Sequence, residues 1–587
     1  MALIQVAKPD PDNKTVVFVT FESEFAPLGG LAAVMRLLPR RMAQLLEGRC
    51  FTIAPFFKHI TACNPRRMEQ IQPTGQDFVA RFGTDYHRGR ILRHVDANGF
   101  ITYLLDADEF FNAPCDCGNP PSQEAPCNPY LTPDDPDQLL QDALFFCAAV
   151  PKALVALGHT ENIFASLQDW QTACAALTLK REPAIASVAC TLTVHNPYDQ
   201  PVSDEQIAQL YRRTLEGPTV LTKMLPFVDG PICTVSENFA TELTQDALHT
   251  QVYAPHLQSF FAQQGVVGID NGLFAPLDFP EAAITAARLG DLKPLLEEKA
   301  SRRAALVREL EAYQPEEAWG TLDGLADFAG PIFLFFGRDD PRQKGYDVAV
   351  AAIRRVPPGQ AKYVFTPIPG NEGLAGLEFL KALAEERPGE VKVFPFRMAR
   401  GYMELLRGSS FLAMCSLYEP FGGATEGYAA GTPVVARATG GLIQQVAPYP
   451  GGTMGRAVRQ RADRFHGREA APTGILFREP DLAWDEVVAG WRHIVDCGYS
   501  EAGAEDAEGA EGAEDVESDR VAQRLGTPLF DALVREAAWA FEDAIEVYTH
   551  DSVGYAQMIA AGFAMLRRFS WDRAAREYQR LYDQIAR

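Results

Sequence analysis

The sequence predicts an α/β chain built from two Rossmann-like, doubly wound domains. Thr15–Phe21 (TVVFVTF) is a β-branched and aromatic run that ends in a glycine turn and a helical pattern, Leu31–Leu46. The same order recurs at Pro331–Phe336 (PIFLFF), which runs into Gly337–Gly345 and a second helix-compatible stretch. A chain of 587 residues can also close two separate cores.

Bulk properties narrow the function. The composition is ordinary for a globular protein, with 47% apolar and 22% charged residues. A net charge of −23 argues against nucleic acid or an anionic membrane as partner, since both need a basic surface. Nine acids and one arginine fall within Glu501–Arg520, among Ala and Gly and without aromatics, so this tract reads as a disordered surface insertion. Eleven cysteines imply no disulfide framework, and Cys147, Cys190, Cys233 and Cys415 read as small core residues. Cys115, Cys117 and Cys127 share a loop but lack a fourth ligand at zinc-like spacing, so neither a metal nor another cofactor is expected. Met1–Lys14 carries no apolar leader pattern, and no run of about 20 apolar residues stands out, which predicts a cytoplasmic location.

In the first half, strands are expected at Phe51–Phe56 and Gly99–Leu105. The second leads into Asp106-Ala107-Asp108, a spacing that suits a metal–diphosphate but reads here as an acidic loop. Asn162–Leu167 ends in Gln168-Asp169-Trp170-Gln171, and Ser187–Val194 ends in His195-Asn196-Pro197-Tyr198. Gly230–Val235 is a further strand, and Asn271-Gly272 is a turn pair. Leu273–Leu325 reads as an interdomain stretch with a helix over Lys299–Tyr313.

In the second half, an apolar strand is followed by Arg338, then Lys344, then a helix start. Two cations and a helix N-terminus on one loop are what a diphosphate needs. Ala361–Thr366 and Val391–Pro395 supply more strands, with a helix over Arg400–Leu406. Phe411–Cys415 then feeds Glu419-Pro420-Phe421-Gly422, and a helical stretch over Thr425–Ala430 follows. Gly431-Thr432-Pro433 breaks that helix before Val434–Ala436, which ends in Thr439-Gly440-Gly441. Glycine turns at the C-terminal ends of adjacent strands are where an open α/β sheet binds its ligand. Amides at helix starts favour an anion there, and the Glu419 carboxylate can hold sugar hydroxyls.

The ordered set E-P-F-G, G-T-P and T-G-G-L resembles the nucleotide-sugar site of retaining glycosyltransferases with the GT-B fold, most closely the glycogen/starch synthase family. Further matches are G-R-D-D-P-R-Q-K-G at 337–345, V-H-N at 194–196 and G-I-D-N-G at 268–272. The resemblance implies two Rossmann-like domains facing a central cleft. It places the N-terminal, acceptor-side domain at 1–320 and the nucleotide-sugar domain at 321–565, with the acidic insertion near 500–522 and a terminal helix returning over 566–587. It assigns catalytic roles to His195, Arg338, Lys344 and Glu419. Donor binding falls to Gly29, Gly30, Asn271, Phe421, Gly422, Thr425, Glu426, Thr439, Gly440 and Gly441, with Arg338, Lys344 and Glu419 shared. Asp169, Trp170 and Asn196 fall on the acceptor and sugar side.

The implied reaction moves glucose from a nucleotide diphosphate glucose, ADP-glucose favoured over UDP-glucose, to the nonreducing end of an α-1,4-glucan, with retention. Four departures stand out. The turn P-L-G-G-L has Pro27 where the family carries a lysine, and the family's H-D-W-H reads Q-D-W-Q at 168–171. Glu426 follows Glu419 by seven positions rather than eight, and one extra residue separates Arg338 from Lys344. These leave open a GT-B enzyme with another donor or acceptor, or a noncatalytic glucan-binding relative.

Overall fold

The structure, a computed structural model, describes residues 6–115, 128–131, 137–370, 372–398, 400–450, 456–497 and 520–587. The acidic insertion as far as Asp519, with Cys117 and Cys127, lies outside the described residues, while Arg520, expected to be part of it, is buried in the helix Arg520–Arg524. The chain forms two compact units: Met1–Gly272 with Ser570–Arg587, and Leu273–Phe569.

Unit 1 holds nine strands: β1 (Thr15–Val19), β2 (Cys50–Pro55), β3 (Ile71–Phe82), β4 (Asp85–Val95), β5 (Ile101–Ala107), β6 (Ile163–Gln168), β7 (Val188–Val194), β8 (Ile232–Thr234) and β9 (Val266–Gly268). They lie in the order β3-β4-β5-β2-β1-β6-β7-β8-β9. β3 and β4 are antiparallel to their neighbours, and the others run parallel. β1, β6 and β7 are buried along nearly all their length, as central parallel strands covered on both faces are, which is why they read as apolar runs. The β3–β4 hairpin has a different pattern: charged residues alternate with apolar ones, one face meets solvent, and sequence reading passed over it.

Unit 2 holds β10 (Trp319–Gly320), β11 (Ile332–Arg338), β12 (Lys362–Ile368), β13 (Val391–Val393), β14 (Phe411–Met414), β15 (Val434–Arg437) and β16 (Gly474–Phe477). Their order is β10-β13-β12-β11-β14-β15-β16, with only β10 antiparallel. In each sheet the chain winds outward one way and then returns to wind the other way. The reversal falls between β1 and β6 in unit 1 and between β11 and β14 in unit 2. The crevice outside the strand ends at such a reversal is the ligand position of doubly wound sheets.

The first boundary differs from the expected residue 320. The helix Lys293–Ala312 belongs to unit 2, because Lys299 donates to the Arg407 carbonyl and to Thr432 Oγ1 (both 2.7 Å). Arg303 likewise donates to the carbonyls of Phe328 and Gly330. The chain re-enters unit 1 at Ser570, whose hydroxyl caps the helix Trp571–Ala586. There Tyr582 stacks on Phe164 of β6 with centroids 4.3 Å apart, and Lys14 pairs with Asp583.

Among the described residues one helix, Gln138–Ala156, is long and apolar enough to cross a membrane by length and composition. In unit 1 it packs on β3 and on the helix Ala175–Arg181, with Leu144–Val150 buried.

Candidate functional site

The reversal point of unit 2 brings the predicted cations and carboxylate together. Arg338 ends β11, and the loop 339–344 turns back through hydrogen bonds from the amides of Gln343 and Lys344 to the Asp340 carbonyl (2.9 and 2.8 Å). Gly345 has φ +62° and opens the helix Tyr346–Arg355. A Cβ on it would lie 2.1 Å from the Cys415 carbonyl oxygen, so the loop passes tight against the end of β14. Tyr346 Oη donates to the Gly337 carbonyl (2.9 Å), and the Leu417 amide donates to the Gln343 carbonyl (2.7 Å). The loop 339–344 and the loop carrying Glu419 are therefore joined by backbone contacts.

Across that join, Lys344 Nζ donates to Glu419 Oε2 at 2.8 Å. Ser416 Oγ donates to the same oxygen at 2.9 Å. The Arg338 guanidinium pairs with Asp340 at 3.0 Å. Behind Glu419 the third loop closes in: the Gly441 amide donates to the Glu419 carbonyl (3.0 Å), and Gln445 Nε2 donates to the Phe421 carbonyl. A Cβ on Gly440, whose φ is +47°, would fall 1.7 Å from the Glu419 carbonyl oxygen, so only glycine permits this approach. Arg437 at the end of β15 is fully buried, is bound in a fork by Glu479, and donates to the Leu417 carbonyl.

Other predicted residues line the same place. Phe421 is buried edge-on against Phe274 and Phe569. Gly422 has φ +94° and packs beside Leu442. Thr425 is buried, and its hydroxyl has no hydrogen-bond partner among the described residues. Glu426 lies in the helix Ala424–Ala429, where burial pushes its carboxyl up to about 7; nearby Lys344 lowers it and Glu419 raises it. Thr439 lies on the buried turn after β15. Ser416 and Asp340 carried no role in the sequence reading. Their signal was only position: Ser416 directly follows an expected strand, and Asp340 lies inside the 337–345 motif.

Unit 1 gathers a second polar group at its own reversal point. Gly29 and Gly30 follow β1, and Gly30 opens the helix Gly30–Leu45. Glu22 spans this turn, accepting the amides of Leu28 and Gly29 (3.0 and 2.9 Å) and the Tyr130 hydroxyl (2.8 Å). Asp169 follows β6 with φ +59°, uncommon for a residue other than glycine. Its carboxylate accepts the His195 amide at 2.6 Å and Asn196 Nδ2 at 3.5 Å, so it orients the turn after β7. Trp170 is buried at the start of the helix Trp170–Ala173. Asn271 is 3% exposed, and its side-chain oxygen has no hydrogen-bond partner among the described residues. His195 Nε2 meets Gln168 Oε1 at 2.8 Å, and desolvation pushes its pKa down to about 3, so the imidazole is neutral at physiological pH.

Asp106 and Asp108, the acidic pair after β5, are held by cations: Lys58 approaches both (3.2 and 2.8 Å), and Arg90 pairs with Asp106. The Sγ atoms of Cys115 and Cys63 lie 2.9 Å apart.

Burial raises Asp169 to about 7, with the Glu22 charge adding to the rise. In the unfolded chain an aspartate titrates near 3.9. Between roughly pH 4 and pH 7 the folded state therefore binds the extra proton, and stability falls as pH rises through that window. Wild-type melting temperature should drop across it more steeply than that of Asp169→Asn, which thermal denaturation at stepped pH checks.

Arg524 supports the loop 339–344. It is fully buried, pairs with Asp347, and donates to the carbonyls of Pro341 (3.0 Å) and Ile494 (2.6 Å). Arg520 holds Asp339 at 3.2 Å and the Gly376 carbonyl at 2.8 Å. Arg524→Ala leaves the Asp347 carboxylate buried without its cation and should destabilise the chain by about 3–5 kcal/mol in urea titrations.

Comparison with known proteins agrees with this arrangement. Residues 15–254 match the starch synthase catalytic domain, and residues 327–460 match glycosyl transferases group 1. A glycogen synthase of Pseudomonas fluorescens is 27% identical over 472 residues, covering 76% of this chain and 80% of the relative. One of Fervidobacterium nodosum is 26% identical over 465 residues, covering 74% and 85%. In structure, the catalytic domain of starch synthase IV from Arabidopsis thaliana, bound to ADP and acarbose, superposes with a TM-score of 0.65. It has 16% identity and covers 98% of this chain and 99% of its own.

Two doubly wound units with these loops at their reversal points make the protein a glycosyltransferase of the GT-B fold. Within that class, the chain is similar to glycogen synthases over about three quarters of its length, and its first half matches the starch synthase catalytic domain.

Proposed function

We propose that the protein transfers glucose, with retention, from a nucleotide diphosphate glucose to the nonreducing end of an α-1,4-glucan, with ADP-glucose the favoured donor. The observation that carries this reading is the 2.8 Å pair of Lys344 and Glu419 across two joined loops, with Arg338 on the same loop as the lysine. A donor offers a diphosphate and a sugar side by side, and these loops offer cations and a carboxylate side by side.

On this reading Arg338 and Lys344 take up charge growing on the diphosphate leaving group, helped by the amides of Thr439–Gly441. Preorganised electrostatics of this kind supply roughly 3–4 kcal/mol per well-placed donor. Glu419 holds hydroxyls of the transferred sugar, and Phe421, Gly422, Thr425 and Glu426 complete the donor pocket. In unit 1, His195 and Asn271 take sugar hydroxyls with Gly29 and Gly30 beside them, while Asp169, Trp170 and Asn196 shape the acceptor side. The relatives support the acceptor class, being glycogen synthases.

A second reading rests on Glu22. A carboxylate across the Leu28 and Gly29 amides favours a donor or acceptor other than the family's usual pair. Incubation with labelled ADP-glucose or UDP-glucose and glycogen separates the two. Glycogen elongation supports the first. Donor hydrolysis or transfer to another acceptor supports the second, and glucan binding without turnover contradicts both.

A further inference from the structure

A chain of hydrogen bonds in unit 1 fixes which nitrogen of His195 carries the proton. Gln168, the last residue of β6, places its side-chain nitrogen 3.1 Å from the Ser166 carbonyl oxygen and 2.9 Å from Ser166 Oγ. A backbone carbonyl can only accept, so the group facing it must be the amide NH2. The reverse orientation would set two acceptors against each other inside a buried site. The other end of the amide, Oε1, therefore faces His195 Nε2, at 2.8 Å. An amide oxygen also only accepts, so Nε2 must bear hydrogen.

The chain is anchored at its far end. Tyr582 donates its hydroxyl to Ser166 Oγ at 2.9 Å, and its ring is clamped against Phe164. Ser166 and Tyr582 are both fully buried, and Gln168 is 2% exposed. The amide has one orientation because turning it over would set its oxygen against the Ser166 carbonyl, the one partner that cannot reverse its role. The Asp169 carboxylate accepts the His195 amide and holds the backbone of the turn, but it does not reach the ring.

We propose that Gln168 is a positioning residue that locks His195 as the neutral Nε2–H tautomer and so presents Nδ1 as a hydrogen-bond acceptor for a sugar hydroxyl. The proposal rests on the sugar-binding role given to His195 above, and it goes further by stating the direction of that bond. Nδ1 has no partner among the described residues, and the imidazole is partly exposed. A hydroxyl that donates to Nδ1 is recognised, whereas a group that can only accept is turned away. The C-terminal helix contributes through Tyr582, the outermost member of the chain.

The test is solid-state 15N NMR of the full chain carrying labelled histidine, with the His195 signals assigned by difference against His195→Asn. The expected wild-type spectrum has a bare Nδ1 and a hydrogen-bonded, slowly exchanging Nε2–H at neutral pH. In Gln168→Leu, which cannot accept, the Nε2–H loses its hydrogen-bonded signature and the Nδ1–H form appears beside it. Donor turnover should fall about tenfold in Gln168→Leu, through kcat more than KM.

A wild-type His195 protonated on Nδ1, or on both nitrogens, overturns the proposal. So does a Gln168→Leu spectrum identical to wild type. The wild-type spectrum needs neither a variant nor turnover. If it is as expected but no donor is turned over, the glycosyl-transfer reading fails while the tautomer assignment stands.

Discussion

Lys344→Ala and Arg338→Ala should each lower turnover by about 100-fold or more, with the fold retained. The two cations lie on the loop that leaves β11 at the sheet reversal, where Lys344 pairs with Glu419 beside Glu426 and Arg338 pairs with Asp340. A diphosphate arriving there finds cations that are already oriented. The loop is tied to the next strand through Leu417 and Gly345, so little reorganisation is needed when charge grows on the leaving group. Removing either cation withdraws that stabilisation mainly in the transition state, so kcat should fall more than KM rises. Folding should change less: the Lys344 side chain is 21% exposed, and Glu419 keeps Ser416 as a donor. Steady-state kinetics with labelled donor, run beside thermal melts, checks this. Turnover within about threefold of wild type for both variants would contradict the phosphate assignment.

Glu419→Ala has the larger expected effect, a loss of transfer of at least about 1,000-fold, because one carboxylate serves two ends of the site. Its Oε2 accepts Lys344 and Ser416 and so fixes where the cation points. Its backbone carbonyl holds the Gly441 amide, a contact the substitution leaves intact. The variant should therefore remain folded while losing both a sugar-hydroxyl acceptor and the alignment of Lys344. Glu419→Gln keeps the shape without the charge and should recover part of the transfer. An Ala variant as active as wild type would remove Glu419 from the mechanism.

Much of this was legible in sequence, for reasons that differ from residue to residue. Buried parallel strands such as β1, β7 and β11 are short runs rich in β-branched and aromatic residues and bounded by turns, which marks them in sequence. The glycines at 345 and 440 stand out because the backbone there admits no side chain. The β3–β4 hairpin was not legible: its solvent face carries arginines and aspartates whose alternation resembles loop. The Lys293–Ala312 helix was legible as a helix, but its unit was not, since membership depends on Lys299 reaching the Arg407 carbonyl 108 residues away. Likewise the substitution of glutamine for histidine at 168 reads from sequence as a loss of charge. Only its distances to Ser166 and His195 give it a possible task.

The central claim is that the Lys344 and Glu419 loops grip one activated sugar. A crystal structure of the full chain soaked with ADP-glucose tests it most directly, with UDP-glucose in a parallel soak. The account predicts diphosphate oxygens within hydrogen-bond distance of Lys344 Nζ and a glucose hydroxyl on the Glu419 carboxylate. A donor seated elsewhere in unit 2, with the Lys344–Glu419 pair untouched, would contradict it.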